Sequence, residues 1–356
     1  MNILIVGAGP TGLTAACELY RRGLKPRIIE RKDAPSPLSR AVGINARSLE
    51  LLEESGVTDA LLTKGYKIGE VKAFHNRHHV GSIFMRNLPH KYNFMLALPQ
   101  SETEHVMRGA LERLGGHVEY GHTLNALTIE NGKAIATINE DTPQTYDLII
   151  GADGINSRVR KDADIAFMGY DYDTLWSIAD FESHDWPHDA AMFFLKNGHI
   201  RFVIKIGDHR YRAVANQADA LPDIPIDYTM DKLNRADEFV ISIKQAETYQ
   251  KPPVFLAGDA AHVHSPAGGR GMNLGIEDAC DLARRIAEDD LDGYTAARHP
   301  AGAQWIKTSE RMVHVVTSKN PFVRVLFRIA LGIVTALPFL QKSFAANVTG
   351  INRKGH

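Results

Sequence analysis

Residues 2–30 contain the pattern that most constrains how this chain folds: a strand, a glycine-rich turn, a helix and a second strand. The continuous apolar run Ile3 to Val6 is typical of a strand buried on both faces, and apolar residues at helical spacing continue from Leu13 to Leu19. The second strand ends at Glu30. The turn carries G-x-G-x-x-G, formed by Gly7, Gly9 and Gly12. This order predicts a βαβ unit that binds a dinucleotide.

Each part of the unit has a physical role in that binding. The first glycine permits a tight turn, the second lets a pyrophosphate approach the backbone, and the third lets the helix pack close to the strand. The helix N-terminus, with Pro10 and Thr11, offers N–H groups and a partial positive charge to the phosphates. Glu30 follows Gly12 by 18 residues, where an acid accepts hydrogen bonds from ribose hydroxyls. The pattern leaves open whether the dinucleotide is FAD or NAD(P).

Composition excludes other classes of protein. The chain has 356 residues, enough for two lobes, and its net charge of −1 provides no basic field for nucleic acid. Cys17 and Cys280 lack metal-like spacing, so we expect buried thiols in a reducing compartment. The strand-like start at Asn2 has no basic region or cleavage site of a signal peptide, so we expect a cytoplasmic protein.

The most apolar segment spans residues 321–342 and is interrupted by Arg324, Arg328 and Pro338. Its charge-free part runs from Ile329 to Gln341, shorter than the ~20 apolar residues of a membrane span. We therefore predict a helix that covers the core, and no transmembrane segment. Peripheral contact with a membrane or with an apolar substrate is the alternative.

Local signals predict two further helices. The run from Arg47 to Ser55 predicts an amphipathic helix that ends at Gly56. Ser101 and Glu104 have the spacing of a capping box at the start of another helix. Gln100 precedes that helix at the carboxyl end of a strand, where side chains of α/β sheets face ligands.

The pattern changes near residue 170. Alternating strands continue to residue 217 and are separated by the turn signals Asn197–Gly198 and Gly207–Asp208. This favours antiparallel sheet, unlike the units before it. The chain returns to a buried strand within residues 252–261, so we interpret the middle as a second lobe inserted into the nucleotide-binding domain.

A second glycine-rich stretch, residues 258–279, has three alternative interpretations. His262 and His264 could present both rings to one metal, but zinc needs three or four ligands and none follows nearby. Ser265 precedes a proline and lacks the G-x-S-x-G elbow of a hydrolase. The third interpretation is a cofactor loop, since Asp259 follows a buried strand and a helix near Gly271 would aim its N-terminus at an anionic group. FAD fits this division, with its ADP half at the first glycine turn.

Three motifs now occur in the order found in one enzyme family: the first turn with Glu30, GADGINSRVR at 151–160, and GDAAH…P…GG-x-GMN at 258–273. The chain resembles the class A FAD-dependent monooxygenases related to para-hydroxybenzoate hydroxylase, in the phenol and polyketide hydroxylase branch. The resemblance implies an α/β fold with a Rossmann-like FAD-binding domain, an inserted antiparallel-sheet substrate domain and a C-terminal helical segment. We predict the FAD-binding domain at 1–165 and 250–300, with 70–100 partly in the substrate lobe. The substrate domain would span 166–249 and the helical segment 301–356.

The resemblance also implies which residues bind FAD. Asp153 and Arg160 match a motif that serves FAD and NAD(P)H, and Pro266 would lie beside the flavin ring. The implied cofactor-binding residues are Gly7, Gly9, Pro10, Thr11, Gly12, Glu30, Arg31, Arg40, Gln100, Asp153, Arg160, Asp259, Pro266, Gly269, Gly271, Met272 and Asn273.

The implied reaction is hydroxylation of an aromatic or polyketide-like small molecule. In the family, NAD(P)H reduces the flavin, O2 is trapped as a C4a-hydroperoxide, and its terminal oxygen is transferred to the substrate. The single dinucleotide fingerprint agrees with transient binding of NAD(P)H as co-substrate. A reductase or dehydrogenase of the same fold acting on a lipid-like substrate is the alternative, and a non-catalytic flavin-binding protein is a further one.

Three arginines have no settled role. Arg270 stands where the family has Gln, and it would either aid an anionic substrate or the reduced flavin, or face solvent. Arg210 and Arg212, two apart on a predicted strand, are candidate catalytic residues together with Pro266, although a solvent-facing position is the favoured interpretation for the two arginines. No metal ligand set is predicted.

Overall fold

The computed structural model describes residues 1–37, 41–222, 224–266 and 268–351. Strands and helices alternate over residues 1–165, and in chain order they are β1 (Ile3–Val6), α1 (Pro10–Arg21), β2 (Arg27–Glu30), β3 (Gly43–Ile44), α2 (Ala46–Leu51), α3 (Val57–Lys64), β4 (Tyr66–Ile68), β5 (Glu70–His75), β6 (His78–Phe84), β7 (Met95–Ala97), α4 (Gln100–Arg113), β8 (Val118–Tyr120), β9 (Leu124–Glu130), β10 (Lys133–Ile138), β11 (Gln144–Tyr146), β12 (Leu148–Gly151) and α5 (Arg158–Asp162).

Long strands follow, and then helices. The strands of the middle segment are β13 (Phe167–Glu182), β14 (Ala191–Lys196), β15 (His199–Gly207), β16 (Arg210–Ala215) and β17 (Lys232–Ala246). The remaining elements are β18 (Gln250–Lys251), β19 (Val254–Leu256), β20 (His262–Val263), α6 (Gly271–Glu288), α7 (Tyr294–Val316), α8 (Pro321–Ala336) and α9 (Pro338–Thr349).

A six-stranded sheet in the order β18-β19-β12-β1-β2-β8 carries the cofactor motifs. All its pairs are parallel except that of the short edge strand β18. Every residue of β1, β12 and β19 is buried, as expected for strands covered on both faces. Because β1, β2, β12 and β19 run parallel, their carboxyl ends lie at one edge of the sheet.

A second sheet has eight strands in the order β20-β17-β13-β16-β15-β14-β5-β6, antiparallel except where β14 pairs with β5. Asn197 and Gly198 form the β14–β15 turn with φ of 53° and 82°, the left-handed values that this turn type requires. The predicted fold class is confirmed: an α/β unit with an antiparallel second lobe. The exact domain boundaries stay predictions. Two three-stranded sheets, β3-β7-β4 and β11-β10-β9, complete the strands described.

Two local predictions are wrong. The helix expected to end at Gly56 stops at Leu51, and Gly56, with φ of 70°, is instead the N-cap of α3. Residues 52–55 form a turn that separates the two helices. Gly56, with its left-handed backbone, then begins α3. The capping box is also absent: Pro99 is the N-cap of α4, and the Glu104 carboxylate accepts from the Gln100 side chain at 2.9 Å instead.

The apolar segment near the C-terminus forms α8 and α9, which break at Pro338. Helix α8 packs on β6 so closely that a Cβ on Gly81 would lie 2.3 Å from Thr335 Oγ1. Among the described residues, no single helix is long and apolar enough to cross a membrane, and only α8 and α9 taken as a pair, bent by 100°, have the length and composition for it.

Candidate cofactor site

Residues from three distant parts of the chain meet at the carboxyl edge of the six-stranded sheet. Gly7 follows β1, Glu30 ends β2, Asp153 follows β12 and Asp259 follows β19. These four strands are consecutive in the sheet, about 4.8 Å apart. The predicted residues therefore form one continuous row, at the place where open α/β sheets bind ligands.

The three glycines of the first turn differ in what surrounds them. Gly7 has φ of 102°, and a Cβ there would lie 2.4 Å from the carbonyl oxygen of Ala152. A Cβ on Gly12 would lie 1.9 Å from the carbonyl oxygen of Gly7. A Cβ on Gly9 would meet no protein atom within 4 Å. The protein itself requires the first and third glycines, and the second faces open space.

Backbone groups orient the Glu30 carboxylate. Its Oε2 accepts from the N–H of Ala8 at 3.0 Å and its Oε1 from the N–H of Lys32 at 3.2 Å. Gly9 is the N-cap of α1 and makes no side-chain cap, and Pro10 is the first helical residue. The helix N-terminus and an oriented acid thus flank the open space at Gly9, as phosphates and a ribose require.

Thr11 joins the two glycine-rich segments. A Cβ on Gly258 would lie 2.4 Å from Thr11 Oγ1, and a Cβ on Gly275 would lie 2.3 Å from the same atom. The Thr11 side chain therefore packs between the turn after β19 and helix α6. This close contact brings the N-terminal turns of α1 and α6 to the same region. It explains why both positions on the partner segments are glycine.

Asp153 and Arg160 hold the turn after β12. Asp153 Oδ2 accepts from the N–H groups of Arg158 and Val159 at 2.7 and 3.2 Å, and burial raises the pKa of this carboxyl. The Arg160 guanidinium donates to the carbonyl oxygens of Ala260 and Ile155, both at 2.8 Å, and lies 3.7 Å from the centre of the Phe167 ring. Arg160 thus fastens the turn after β12 to the turn after β19.

Asn273 and Gln100 fix the segment that precedes α2. Asn273 Oδ1 accepts from the N–H of Asn45, and its Nδ2 donates to the carbonyl oxygens of Gly43 and Gly269, all at 2.8 Å. Gln100 Oε1 accepts from the N–H of Ala41 at 3.4 Å. Since the Asn273 amide is engaged by protein groups, we expect its contact with a cofactor through the backbone.

The remaining predicted cofactor residues lie around this row. Arg31 is exposed directly after β2, Asp259 and Pro266 are exposed, and Met272 is half-buried in the first turn of α6. The carbonyl oxygen of Pro266 accepts from the N–H of Gly269 at 2.9 Å. Gly271 is the first residue of α6, whose N-cap makes no side-chain cap. Arg40 lies outside the described residues.

The two histidines play different parts. His262 Nε2 hydrogen-bonds Asp278 Oδ2 at 2.5 Å, and the same carboxylate accepts from the Gly258 N–H at 3.1 Å and from Arg298 Nε at 2.7 Å. Burial favours the neutral acid, but the charges of Arg298 and His262 lower the pKa of Asp278 to about 2. Through the bond from the Gly258 N–H to Asp278, this network holds the turn after β19 in place. In the part of the chain that the structure describes, no group of three His, Cys, Asp or Glu side chains is placed to hold a metal ion.

His264 lies beside Gly271, the first residue of α6. A Cβ on Gly271 would lie 3.9 Å from the His264 ring. Its Nδ1 is 2.8 Å from the carbonyl oxygen of Ser265, and its shielded Nε2 has no partner among the described residues. Burial lowers the pKa of His264 to about 4. The buried Ser265 Oγ likewise lacks a hydrogen-bond partner in the described structure.

Arg270 does not face solvent, which is one of its two predicted roles. Its buried guanidinium donates to Glu277 Oε1 at 3.0 Å and to the carbonyl oxygen of Asn347 at 3.4 Å, and it lies 4.5 Å from the centre of the Trp305 ring. It therefore ties the N-terminus of α6 to α7 and α9. The solvent-facing expectation is wrong because the side chain points into the protein, where it pairs with Glu277. A role toward an anionic substrate or the reduced flavin stays a prediction.

Arg212 is also buried, so the favoured solvent-facing position is wrong for it. Its Nε and Nη2 donate to the two carboxylate oxygens of Asp180 at 2.6 and 2.7 Å, and its Nη1 donates to the carbonyl oxygen of Ala41 at 3.3 Å. Arg210 is exposed and lines a shallow pocket of about 240 Å³ with Lys64 and Glu102. The catalytic roles of Arg210, Arg212 and Pro266 stay predictions.

Sequence reasoning missed the residues that support the site. Asp180 and Asp278 are buried acids whose side-chain partners lie 16 or more positions away in sequence, so no local pattern marks them. Asn45 has a local signal, because its side chain caps α2 by accepting from the Ser48 N–H, but its bond to Asn273 has none. Glu277 is the exception: it follows Arg270 by seven residues, two helical turns, a spacing that indicates a shared face.

The arrangement fits FAD. Two uncapped helix N-termini, the open space at Gly9 and the oriented Glu30 suit the phosphates and the adenosine ribose. Three buried polar atoms have no hydrogen-bond partner among the residues that the structure describes, and a bound cofactor could engage them: Asp153 Oδ1, His264 Nε2 and Ser265 Oγ. Buried polar atoms rarely lack a hydrogen-bond partner inside proteins.

Comparison with known proteins also indicates an FAD-binding protein. The family model for an FAD binding domain matches residues 1–220 and 208–309. Pentachlorophenol 4-monooxygenase of Sphingobium chlorophenolicum is 35% identical over 88% of this chain and 64% of its own length. 6-Methylpretetramide 4-monooxygenase of Streptomyces rimosus is 31% identical over 96% of this chain and 67% of its own.

A solved structure shows the same fold over the whole chain. The crystal structure of p-nitrophenol 4-monooxygenase PnpA from Pseudomonas putida DLL-E4 superposes with a TM-score of 0.88, at 17% identity, over 100% of this chain and 99% of that one. The curated relatives are longer, since this chain spans roughly two thirds of each.

Proposed function

Because this chain belongs to the family of FAD-dependent aromatic and polyketide monooxygenases, we propose that it uses NAD(P)H and O2 to hydroxylate an aromatic or polyketide-like small molecule. One observation carries the proposal: the two glycine-rich segments that would bind the two halves of FAD meet at one sheet edge, where Thr11 packs against Gly258 and Gly275. Bound FAD would accept a hydride from NAD(P)H and activate O2 for insertion of one oxygen atom into the substrate.

The chain supplies binding and electrostatics. Glu30 would accept hydrogen bonds from the adenosine ribose, and the N-terminus of α1 would face the pyrophosphate. Asp259, exposed at the end of β19, would accept from hydroxyls of the ribityl chain. The N–H groups of Gly271 to Asn273, at the N-terminus of α6, would stabilise negative charge that develops on the ring.

An apolar cluster indicates the chemical class of substrate. It lies between the eight-stranded sheet, the β3-β7-β4 sheet and α9, and Val42, next to the segment fixed by Asn273, packs against it. Its buried members are Ile68, Ile83, Met85, Leu88, Met95, Ala97, Ala191, Ile204, Ile206, Ala345 and Ala346. An apolar, methionine-containing region can repack around a flat ring and exclude water from the reacting atoms.

The test is oxygen labelling with the purified protein. NAD(P)H and O2 consumption are followed against a panel of phenols under ¹⁸O2, and we expect one labelled oxygen atom in the product. Substrate turnover without O2 consumption would instead assign a reductase or dehydrogenase. Colourless protein that takes up no FAD would contradict the site itself.

A variant tests the placement of the cofactor. Asp259→Ala should lose bound FAD, whereas Asp292→Ala, an exposed acid after α6, should retain it. Flavin absorbance per protein after gel filtration is the measurement. Equal retention by the two variants would show that Asp259 does not contact FAD.

A further inference from the structure

Helices α8 and α9 expose an apolar face that the proposed reaction does not use. On α8 the exposed residues recur at spacings of three and four, so they form one stripe along the helix. The stripe continues over the bend into α9. We call it the α8–α9 apolar face; its side chains are 41–73% exposed and are Phe322, Val325, Leu326, Ile329, Ile333, Leu337 and Phe339. A contiguous apolar surface of this kind marks an interaction site.

The opposite side of this helix pair is fastened to the second lobe. Thr335 packs against Gly81, and Gln341 Nε2 donates to the carbonyl oxygen of Ser82 at 3.0 Å. Arg324 Nη1 reaches Asn197 Oδ1 at 3.5 Å, next to the β14–β15 turn. The apolar face therefore points away from the described part of the protein.

The charges of this region have a single sign. No Asp or Glu occurs between Glu310 and Ile351, whereas Lys319, Arg324, Arg328 and Lys342 do. Lys319, Arg328 and Lys342 are exposed, and each lies within three residues of a member of the α8–α9 apolar face. Long basic side chains beside an apolar stripe can extend their charged ends toward a polar boundary while the stripe is buried.

We propose that the α8–α9 apolar face docks on the surface of an anionic lipid bilayer, with the helices lying in the plane of the interface. Burial of apolar side chains and attraction of cations to anionic headgroups both favour that contact. Helix α8 has 16 residues, about 24 Å, which is shorter than the ~30 Å hydrocarbon core and ends in a 100° bend. It suits a helix that lies on the membrane.

A second copy of this chain is a poorer partner for the same face. In a twofold contact each copy presents the same patch to the other. The cations of both copies would then be brought together with no acidic residue on either patch to pair with them. Like charges across an interface oppose association, whereas an anionic bilayer neutralises them.

Vesicle binding by the full chain tests the proposal. We expect at least about tenfold stronger co-sedimentation with vesicles containing about a third phosphatidylglycerol than with pure phosphatidylcholine, weakening as salt rises. The double variant Phe322→Ser/Ile329→Ser should lose at least about tenfold in binding. The matched control Leu233→Ser/Val240→Ser, which removes two similarly exposed apolar residues of β17, should bind like the unaltered chain.

Three results would overturn the proposal. The first is no binding to anionic vesicles at low salt, and the second is an equal loss in both double variants. The third is a dimer in gel filtration that Phe322→Ser/Ile329→Ser abolishes without any vesicle binding, which would assign the face to a second copy. FAD content and the unfolding midpoint of each variant establish that it is folded, and none of these readouts depends on hydroxylation.

Discussion

At the first turn after β1, the protein and the cofactor place separate demands on neighbouring glycines. A Cβ on Gly9 meets no protein atom, and the φ of −74° there suits any residue. We therefore predict that Gly9→Ala leaves the free energy of unfolding of the apoprotein unchanged within about 1 kcal/mol. FAD affinity should fall by about tenfold or more, because the methyl group occupies the space of the pyrophosphate. Chemical denaturation and FAD titration measure the two effects.

Gly12→Ala is the informative partner of that variant. Its Cβ would lie 1.9 Å from the carbonyl oxygen of Gly7, so the helix must shift and the apoprotein itself should be destabilised. A Gly9→Ala protein that binds FAD normally would place the pyrophosphate elsewhere.

His264 should make the apoprotein sensitive to mild acid. Burial lowers the pKa of His264 from 6.5 to about 4. Between these pH values the His264 side chain is protonated in the unfolded chain and neutral in the folded chain. Stability is full above about pH 6.5 and falls as the pH drops toward 4, by up to about 3 kcal/mol. We predict a flatter dependence for His264→Gln, measured by urea denaturation at several pH values. His314→Gln, at an exposed histidine, should keep the original slope.

Among the elements, α6 connects the cofactor site to the C-terminal helices through Arg270. Replacing it with the family's glutamine, Arg270→Gln, removes one of the two cations that contact buried Glu277, since Arg298 Nη2 stays 3.4 Å from Glu277 Oε2, and it removes the donor to the Asn347 carbonyl. We predict a loss of about 2 kcal/mol in unfolding free energy. The double variant Arg270→Gln/Glu277→Gln should recover part of it, and denaturation of all three proteins measures the coupling. Additive losses would show that the pair does not interact.

Elements differ in how far the sequence predicts them. The β1–α1–β2 unit and the Asn197–Gly198 hairpin are confirmed because each is determined by contacts within about 30 residues. The predicted start of α4 is wrong because Gln100, four residues before Glu104, takes the carboxylate that a capping box needs. The predicted end of α2 is wrong because a contact with the next helix competes with the local signal. The buried Thr58 hydroxyl bonds the Leu49 carbonyl at 2.5 Å and holds α3 against α2, which no pattern in residues 47–56 shows.

The candidate site shows the same division. Gly7, Glu30, Asp153 and Asp259 follow from chain order, since each stands at the end of a strand of the parallel sheet or within three residues of it. The supporting bonds do not, because Asn273 to Asn45 and Arg212 to Asp180 join residues that are 228 and 32 positions apart. The residues of 258–279 predict a cofactor loop, and the resemblance implies that it binds the flavin half of FAD. Only the structure shows how Thr11 packs this loop against the first glycine turn.

At the scale of the whole molecule, Arg212 connects the two lobes. It lies on β16 of the eight-stranded sheet and pairs there with Asp180. It also donates to the carbonyl oxygen of Ala41, in the segment that precedes α2. Arg212→Gln leaves Asp180 buried without its cation, and we expect a loss of about 3 kcal/mol in stability and weaker FAD binding. Arg212→Gln/Asp180→Asn should restore much of both.

Turnover of that double variant separates the two roles of Arg212. Recovery of FAD binding together with hydroxylation identifies a positioning residue. Recovery of FAD binding and stability without hydroxylation identifies a group that acts on the substrate or the cofactor.

Binding of FAD should stabilise the molecule as a unit, because the site draws on β1, β2, β12, β19, α1 and α6 at once. A ligand that binds only the folded state adds about 2.7 kcal/mol when its concentration is a hundred times its dissociation constant. We therefore expect the thermal midpoint to rise by several degrees, and to keep rising with FAD concentration, in a single transition. NAD(P)H without FAD should give a much smaller rise, since one dinucleotide fingerprint is present and FAD fills it. The reverse order, with NAD(P)H stabilising and FAD inert, would identify the first turn as a nicotinamide nucleotide site and remove the basis for flavin chemistry.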